Sequence, residues 1–159
     1  MESFTVLTDS AERTRALGER IGSRLSGGET ILLFGPLGAG KTILSQGIGA
    51  GLGVRGLIQS PSFVLERVHA GRLTLRHLDF YRLTAADVEE AGFFAEPDDS
   101  AVAVVEWGEN AGEIPEAVLR FRVLFVPGMP DRRRIMIEAA SPLWGDRIRD
   151  AIREAGLRA

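Results

Sequence analysis

Residues 30–46 read TILLFGPLGAGKTILSQ, and this run decides the fold. Its opening, TILLF, is continuously apolar after the threonine, the pattern of a strand buried on both faces. Gly35 to Thr42 then fit G-x-x-x-x-G-K-[ST], the phosphate-binding P-loop. A phosphate cradle needs successive backbone N–H groups pointing inward, and glycine permits the dihedrals and the close approach involved. Leu37, Gly38, Ala39 and Gly40 supply that backbone. A helix from about Lys41 to Leu52, ended by Gly53, is expected to add its N-terminal dipole. Lys41 is placed to reach the β- and γ-phosphates of a nucleotide, and the Thr42 hydroxyl to ligate Mg²⁺.

Lys41 is also the only lysine among the chain's 19 basic residues. Arginine is a planar fork, whereas lysine is a compact charge on a thin stem. A tight loop around phosphate has room for the second and not the first. The same count excludes a guanine reader of the Asn-Lys-x-Asp kind, which needs a second lysine. ATP is therefore the expected nucleotide.

Outward from the loop, SFTVLT reads as a first strand. Asp9 and Ser10 offer N-cap chemistry to a helix carrying Leu17, Ile21 and Leu25. SFVLERV and LTLRHLDFY, around His69–Arg72, predict a hairpin. TAADVEEAG predicts a short helix capped by Thr84, and AVAVVEW another buried strand. LRFRVLFV and RRIMIEA pair as a second hairpin through PGMPD. A last helix carries Ile148, Ile152 and Ala155. The sum is one α/β domain over residues 1–159 with a mixed sheet, parallel around the glycine loop and antiparallel at the hairpins.

With 159 residues, 45% hydrophobic and 26% charged, the chain is long enough for one packed core. No apolar run approaches the roughly 20 residues that span a bilayer, so no membrane partner is expected. A cytosolic protein is the default. Cysteine is absent, which excludes disulfide and thiolate chemistry. The net charge of −3 argues against broad nucleic-acid binding. Arg132–Arg134 are expected to form a solvated hairpin face. Two histidines, His69 and His77, exclude a multi-histidine metal site.

A P-loop enzyme needs a further acid near Mg²⁺, at the end of a strand beside the loop strand. Asp79, ending LTLRHLD, and Glu106, ending AVAVVE, both qualify.

In this order and spacing, GPLGAGKT, SPSF, HLDFYR and VVEWGEN resemble the TsaE (YjeE) family. These are small P-loop ATPases required for making threonylcarbamoyladenosine beside the anticodon of tRNA. The resemblance runs from the first strand to the second hairpin. It implies a single-domain P-loop NTPase fold, three-layer α/β/α, with a mixed central sheet of about seven strands. It implies that Lys41 and the loop hold ATP and that Thr42 and Glu106 hold Mg²⁺. Asp79 matches the family's essential aspartate, positioning the attacking water or sensing the γ-phosphate. Trp107 matches a tryptophan beside the nucleotide, with a core aromatic as the alternative. Ser60–Phe63 match a switch-like segment. His77 orients its neighbours rather than binding metal, and Tyr81 and Arg82 are structural or face a partner. The implied partners are TsaD and TsaB, with tRNA met indirectly through their complex.

Two positions depart from the family pattern. Pro36 stands where an acidic residue is common and removes one loop donor. Ser62 stands where threonine is common. Two further readings stay open: a P-loop kinase of a nucleotide or small metabolite, and an ATP-gated binding module with negligible hydrolysis.

Overall fold

The computed structural model describes residues 1–61, 64–114 and 116–159. Ser62 and Phe63, part of the expected switch segment, lie outside the described residues. Seven strands form one sheet in the order β1-β7-β6-β2-β5-β4-β3. They are β1 (Glu2–Thr8), β2 (Thr30–Phe34), β3 (Glu66–His69), β4 (Thr74–Asp79), β5 (Ala101–Glu106), β6 (Leu119–Val126) and β7 (Met129–Ala139). The centre, β6-β2-β5-β4, is parallel, while β1, β7 and β3 join antiparallel. This is the mixed arrangement expected.

The two faces of the sheet bury different residue sets. Ile31, Leu33, Val102, Val104 and Phe121 point to α1 (Ala11–Gly22), α2 (Lys41–Gly51) and α4 (Pro142–Glu154). Leu32, Leu78, Ala103 and Val105 point the other way, to Phe80, Ile114 and Val88 of α3 (Ala85–Ala91). Alternation along each strand thus sends consecutive apolar residues to opposite cores, which is why TILLF and AVAVVE show no polar face.

The helices start as their caps dictate. Ser10 accepts from the Arg13 N–H, and Ser141 accepts from the Trp144 N–H. Thr84 and Asp87 form a reciprocal capping box. Helix α1 ends at Gly22, a turn earlier than its apolar spacing suggested. The Ser23 hydroxyl bonds back to the Arg20 carbonyl at 2.9 Å, and Leu25 reaches the core on the turn beyond. Pairing in β3 begins only at Glu66, because Leu65 turns through a left-handed φ of 65°. The second hairpin is also tighter than PGMPD implied. Val126 pairs with Met129 across Pro127–Gly128, so Pro130 to Arg134 lie within β7.

Helix α2 sits where glycine lets it sit. Helices α1 and α2 cross through Gly18, Gly22, Gly47 and Gly51; a Cβ on Gly22 would meet the Ile48 carbonyl oxygen at 2.2 Å. Gly22→Ala is therefore expected to destabilise the fold by about 2 kcal/mol, despite alanine's better helix propensity. A thermal melt should show the midpoint falling by roughly 4–8 °C; an unchanged midpoint would mean the helices part at no cost.

Candidate nucleotide-binding site

The parallel strands deliver their C-terminal ends to one crevice, the usual ligand position in open α/β sheets. Strand β2 ends in the glycine loop. Register pairs Leu33 with Glu106 and Glu106 with Asp79, so both acids stand level beside the loop on the α2 face. Both are about 3% exposed.

The loop backbone depends on its glycines at two points. Gly35 has φ 140°, and a Cβ there would lie 2.3 Å from the Val123 carbonyl oxygen. Gly40 caps α2 at φ 115°, and no side chain caps that helix or places an acid in its first turn. The first N–H groups of α2 are thus left for an anion. Pro36 uses its carbonyl rather than a donor, accepting from the Ala39 N–H at 3.2 Å and from Lys41 Nζ at 3.3 Å. Its missing N–H costs this turn nothing.

Lys41 is 5% exposed, and its ammonium also donates to the Gly35 carbonyl. The Trp107 ring lies beneath it, with Nζ 3.7 Å from the ring centroid. Burial lowers the Lys41 pKa from its ordinary value, opposed by the charges of Glu109, Glu106 and Asp79. Trp107 itself has φ 59°, a left-handed turn that a bulky residue adopts only under tertiary constraint. Tyr81 stacks on it with ring centroids 4.8 Å apart. Trp107 therefore both packs on the core and lines the cavity beside the loop.

The two acids are held differently. Thr42 Oγ1 donates to Glu106 Oε1 at 2.9 Å, and Glu106 Oε2 meets His77 Nε2. Asp79 Oδ1 accepts from the Tyr81 N–H at 2.9 Å, with the Ser60 hydroxyl 3.4 Å from Oδ2. A cavity of about 210 Å³ is lined by Leu37, Gly38, Gly40, Lys41, Thr42, Ile43, Ser60, Asp79, Glu106 and Trp107. Of Leu37 to Thr42, Asp79, Glu106 and Trp107, the residues expected to hold or act on a nucleotide and its metal, Ala39 alone is not among its lining residues. Ala39 is buried and lines a second cavity of about 450 Å³ across the loop, with Asp9, Ser10, Ile43, Pro130 and Arg133.

Four contributors escaped the sequence reading. Arg133 Nε donates to the Ala39 carbonyl at 2.8 Å, so this arginine braces the loop instead of sitting on a solvated face. Glu109 accepts the Gly35 N–H at 2.9 Å. Asp9 and Ser10 reach the second cavity from the opposite end of the chain's core.

The residues present fit a magnesium polyphosphate. Thr42 and Glu106 offer adjacent hard oxygens, and Mg²⁺ takes one or two protein ligands with phosphate and water completing its shell. Among the described residues there is no group of three acids or imidazoles that would bind a metal outright. Nor is any described helix long and apolar enough to cross a membrane.

The family profile described as "Threonylcarbamoyl adenosine biosynthesis protein TsaE" matches residues 8–134. The chain belongs to the TsaE family. Among TsaE relatives, one from Streptomyces coelicolor is 44% identical over 115 residues, covering 69% of this chain and 77% of its own. Another, from Treponema pallidum, is 41% identical over 119 residues, covering 72% and 88%. Each is named a tRNA threonylcarbamoyladenosine biosynthesis protein. In three dimensions the chain superposes on Bacillus subtilis YdiB at a TM-score of 0.71 and 25% identity, covering 96% of both chains. The TsaE match spans every residue of the site described above, from Asp9 to Arg133.

Proposed function

We propose that the protein is a Mg²⁺-dependent ATPase of tRNA threonylcarbamoyladenosine formation, regulating the TsaD–TsaB transferase pair through its nucleotide state. The observation that carries this reading is the convergence of Lys41, Thr42, Asp79 and Glu106 on one small cavity at the strand ends. Family membership supplies the pathway, and a role in tRNA modification fits a cytoplasmic location.

Cavities lie on either side of Gly38–Ile43, and a nucleotide would be divided between them. Lys41 and the first N–H groups of α2 would hold the β- and γ-phosphates, and Thr42 with Glu106 would hold Mg²⁺. The metal, when bound, neutralises charge on the phosphate oxygens. The nucleoside end would lie across the loop, between Ile43 and the Asp9–Ser10 and Arg133 walls. Asp79 is fixed by the Tyr81 N–H and faces the same cavity as Lys41, where it would orient the attacking water. Attack at the γ-phosphorus breaks its bond to the bridging oxygen and yields ADP and phosphate. Ser60, beside Asp79, links this event to the segment that follows it.

Among the described residues lining the 210 Å³ cavity, Lys41 is the only cation, and Arg133 lies on the other side of the loop. Slow hydrolysis by the isolated chain is therefore expected, with stimulation once TsaD–TsaB is added. Phosphate release measured with and without the pair tests this. Fast turnover indifferent to the partners would sink the regulatory reading.

A further inference from the structure

His77 is a fully buried polar side chain beside the site that the proposed chemistry leaves unused. It sits in the middle of β4, wholly buried, on the α2 face. Its Nε2 meets Glu106 Oε2, while its Nδ1 is buried without a hydrogen-bond partner among the described residues. A leucine would fill this core position with no such orphan, and an unpaired buried nitrogen is a cost. The ring's one polar contact is therefore what the position supplies.

That contact controls a direction. Glu106 is clamped at both oxygens, by His77 at Oε2 and by the Thr42 hydroxyl at Oε1. Because the Thr42 proton is committed to Oε1, the Thr42 lone pairs are turned away from Glu106. Rotating the carboxylate would release that proton and swing the lone pairs with it. A hydrogen on Nε2 makes the clamp, since the carboxylate oxygen it meets can only accept.

We infer that His77 is a positioning residue for the cation. Acting through Glu106, it fixes the orientation in which Thr42 and Glu106 present their oxygens to Mg²⁺. It touches neither metal nor nucleotide. This inference rests on the Mg²⁺-nucleotide reading of the site and adds to it the residue that pre-sets the ligand geometry. Outer partners of this kind typically change metal affinity by about 10-fold to 100-fold when removed.

The test is calorimetric binding of a non-hydrolysable ATP analogue to the full chain, in EDTA and across a Mg²⁺ titration. His77→Leu is expected to raise the Mg²⁺ midpoint by about 10-fold to 100-fold, while affinity in EDTA stays within about twofold of wild type. His77→Asn, too short to reach Oε2, should behave like the leucine variant and carries the test if leucine prevents folding. His77→Gln, which restores a donor at the right reach, should return the midpoint to within about threefold. An unchanged midpoint in the leucine and asparagine variants overturns the inference, as does an equal fall in EDTA and Mg²⁺ affinity, the mark of a merely structural role. A wild-type protein whose analogue binding ignores Mg²⁺ overturns the functional reading itself.

Discussion

Replacing Lys41 with arginine is expected to weaken ATP-analogue binding nearly as much as replacing it with alanine, by about 10-fold to 100-fold, the worth of a buried charge-assisted hydrogen bond. The reason is space. The ammonium is 5% exposed, bonded to the Gly35 and Pro36 carbonyls and seated over Trp107. A guanidinium brings a planar fork too broad for that seat, so charge alone does not rescue the site. Calorimetry on both variants checks this, with a thermal melt to show that each still folds. Arginine binding as well as lysine would remove the steric argument. The pH dependence follows from the same burial. Polyphosphate pairs with the ammonium form, and burial lowers the Lys41 pKa from its ordinary 10.5. Affinity should accordingly fall as pH rises, on a limb beginning below that value, and the limb should vanish in Lys41→Ala.

The second large effect belongs to Asp79. Asp79→Asn is expected to lower phosphate release by about 100-fold to 1,000-fold, the range for losing a group that positions or deprotonates a nucleophile. Analogue affinity should change little, because Asp79 contacts the Tyr81 N–H and Ser60 rather than the glycine loop. The substitution is isosteric and keeps an oxygen for the Tyr81 N–H, so the strand end should hold. If hydrolysis survives while partner regulation is lost, Asp79 senses the γ-phosphate and does not position the attacking water.

The glycine loop was legible because its information is local. Three glycines, a lysine and a threonine at fixed spacing, between an apolar strand and a helix, specify a backbone shape without help from the rest of the chain. Asp79 and Glu106 were legible for a related reason, since each ends a continuously apolar strand and parallel register puts such ends together. What escaped depends on contacts between distant residues. Arg133 lies 94 residues from the carbonyl it braces, and it is brought there by the tight turn at Pro127–Gly128 together with the register shift between Phe125 and Val126 that sets Arg133 opposite Phe125. In the sequence it is the middle of three arginines with nothing to distinguish it. Glu109 likewise reaches Gly35 across 74 residues from a short turn after β5. The turn at Trp107 was not legible because a left-handed tryptophan has no local signature. Pro36 was legible as the loss of one loop donor, but not as the source of a carbonyl that the Ala39 N–H and Lys41 both use.

The most direct test of the account is the position of Mg²⁺ in a crystal structure with a non-hydrolysable ATP analogue. The account predicts the phosphates within Gly38–Thr42, and the metal on the Thr42 hydroxyl oxygen. Glu106 should be a direct ligand or one water removed, and Asp79 should face the γ-phosphate without touching the metal. A metal bound to Asp79, with Glu106 remote and still tied only to His77, would contradict it, as would a nucleotide bound away from the loop.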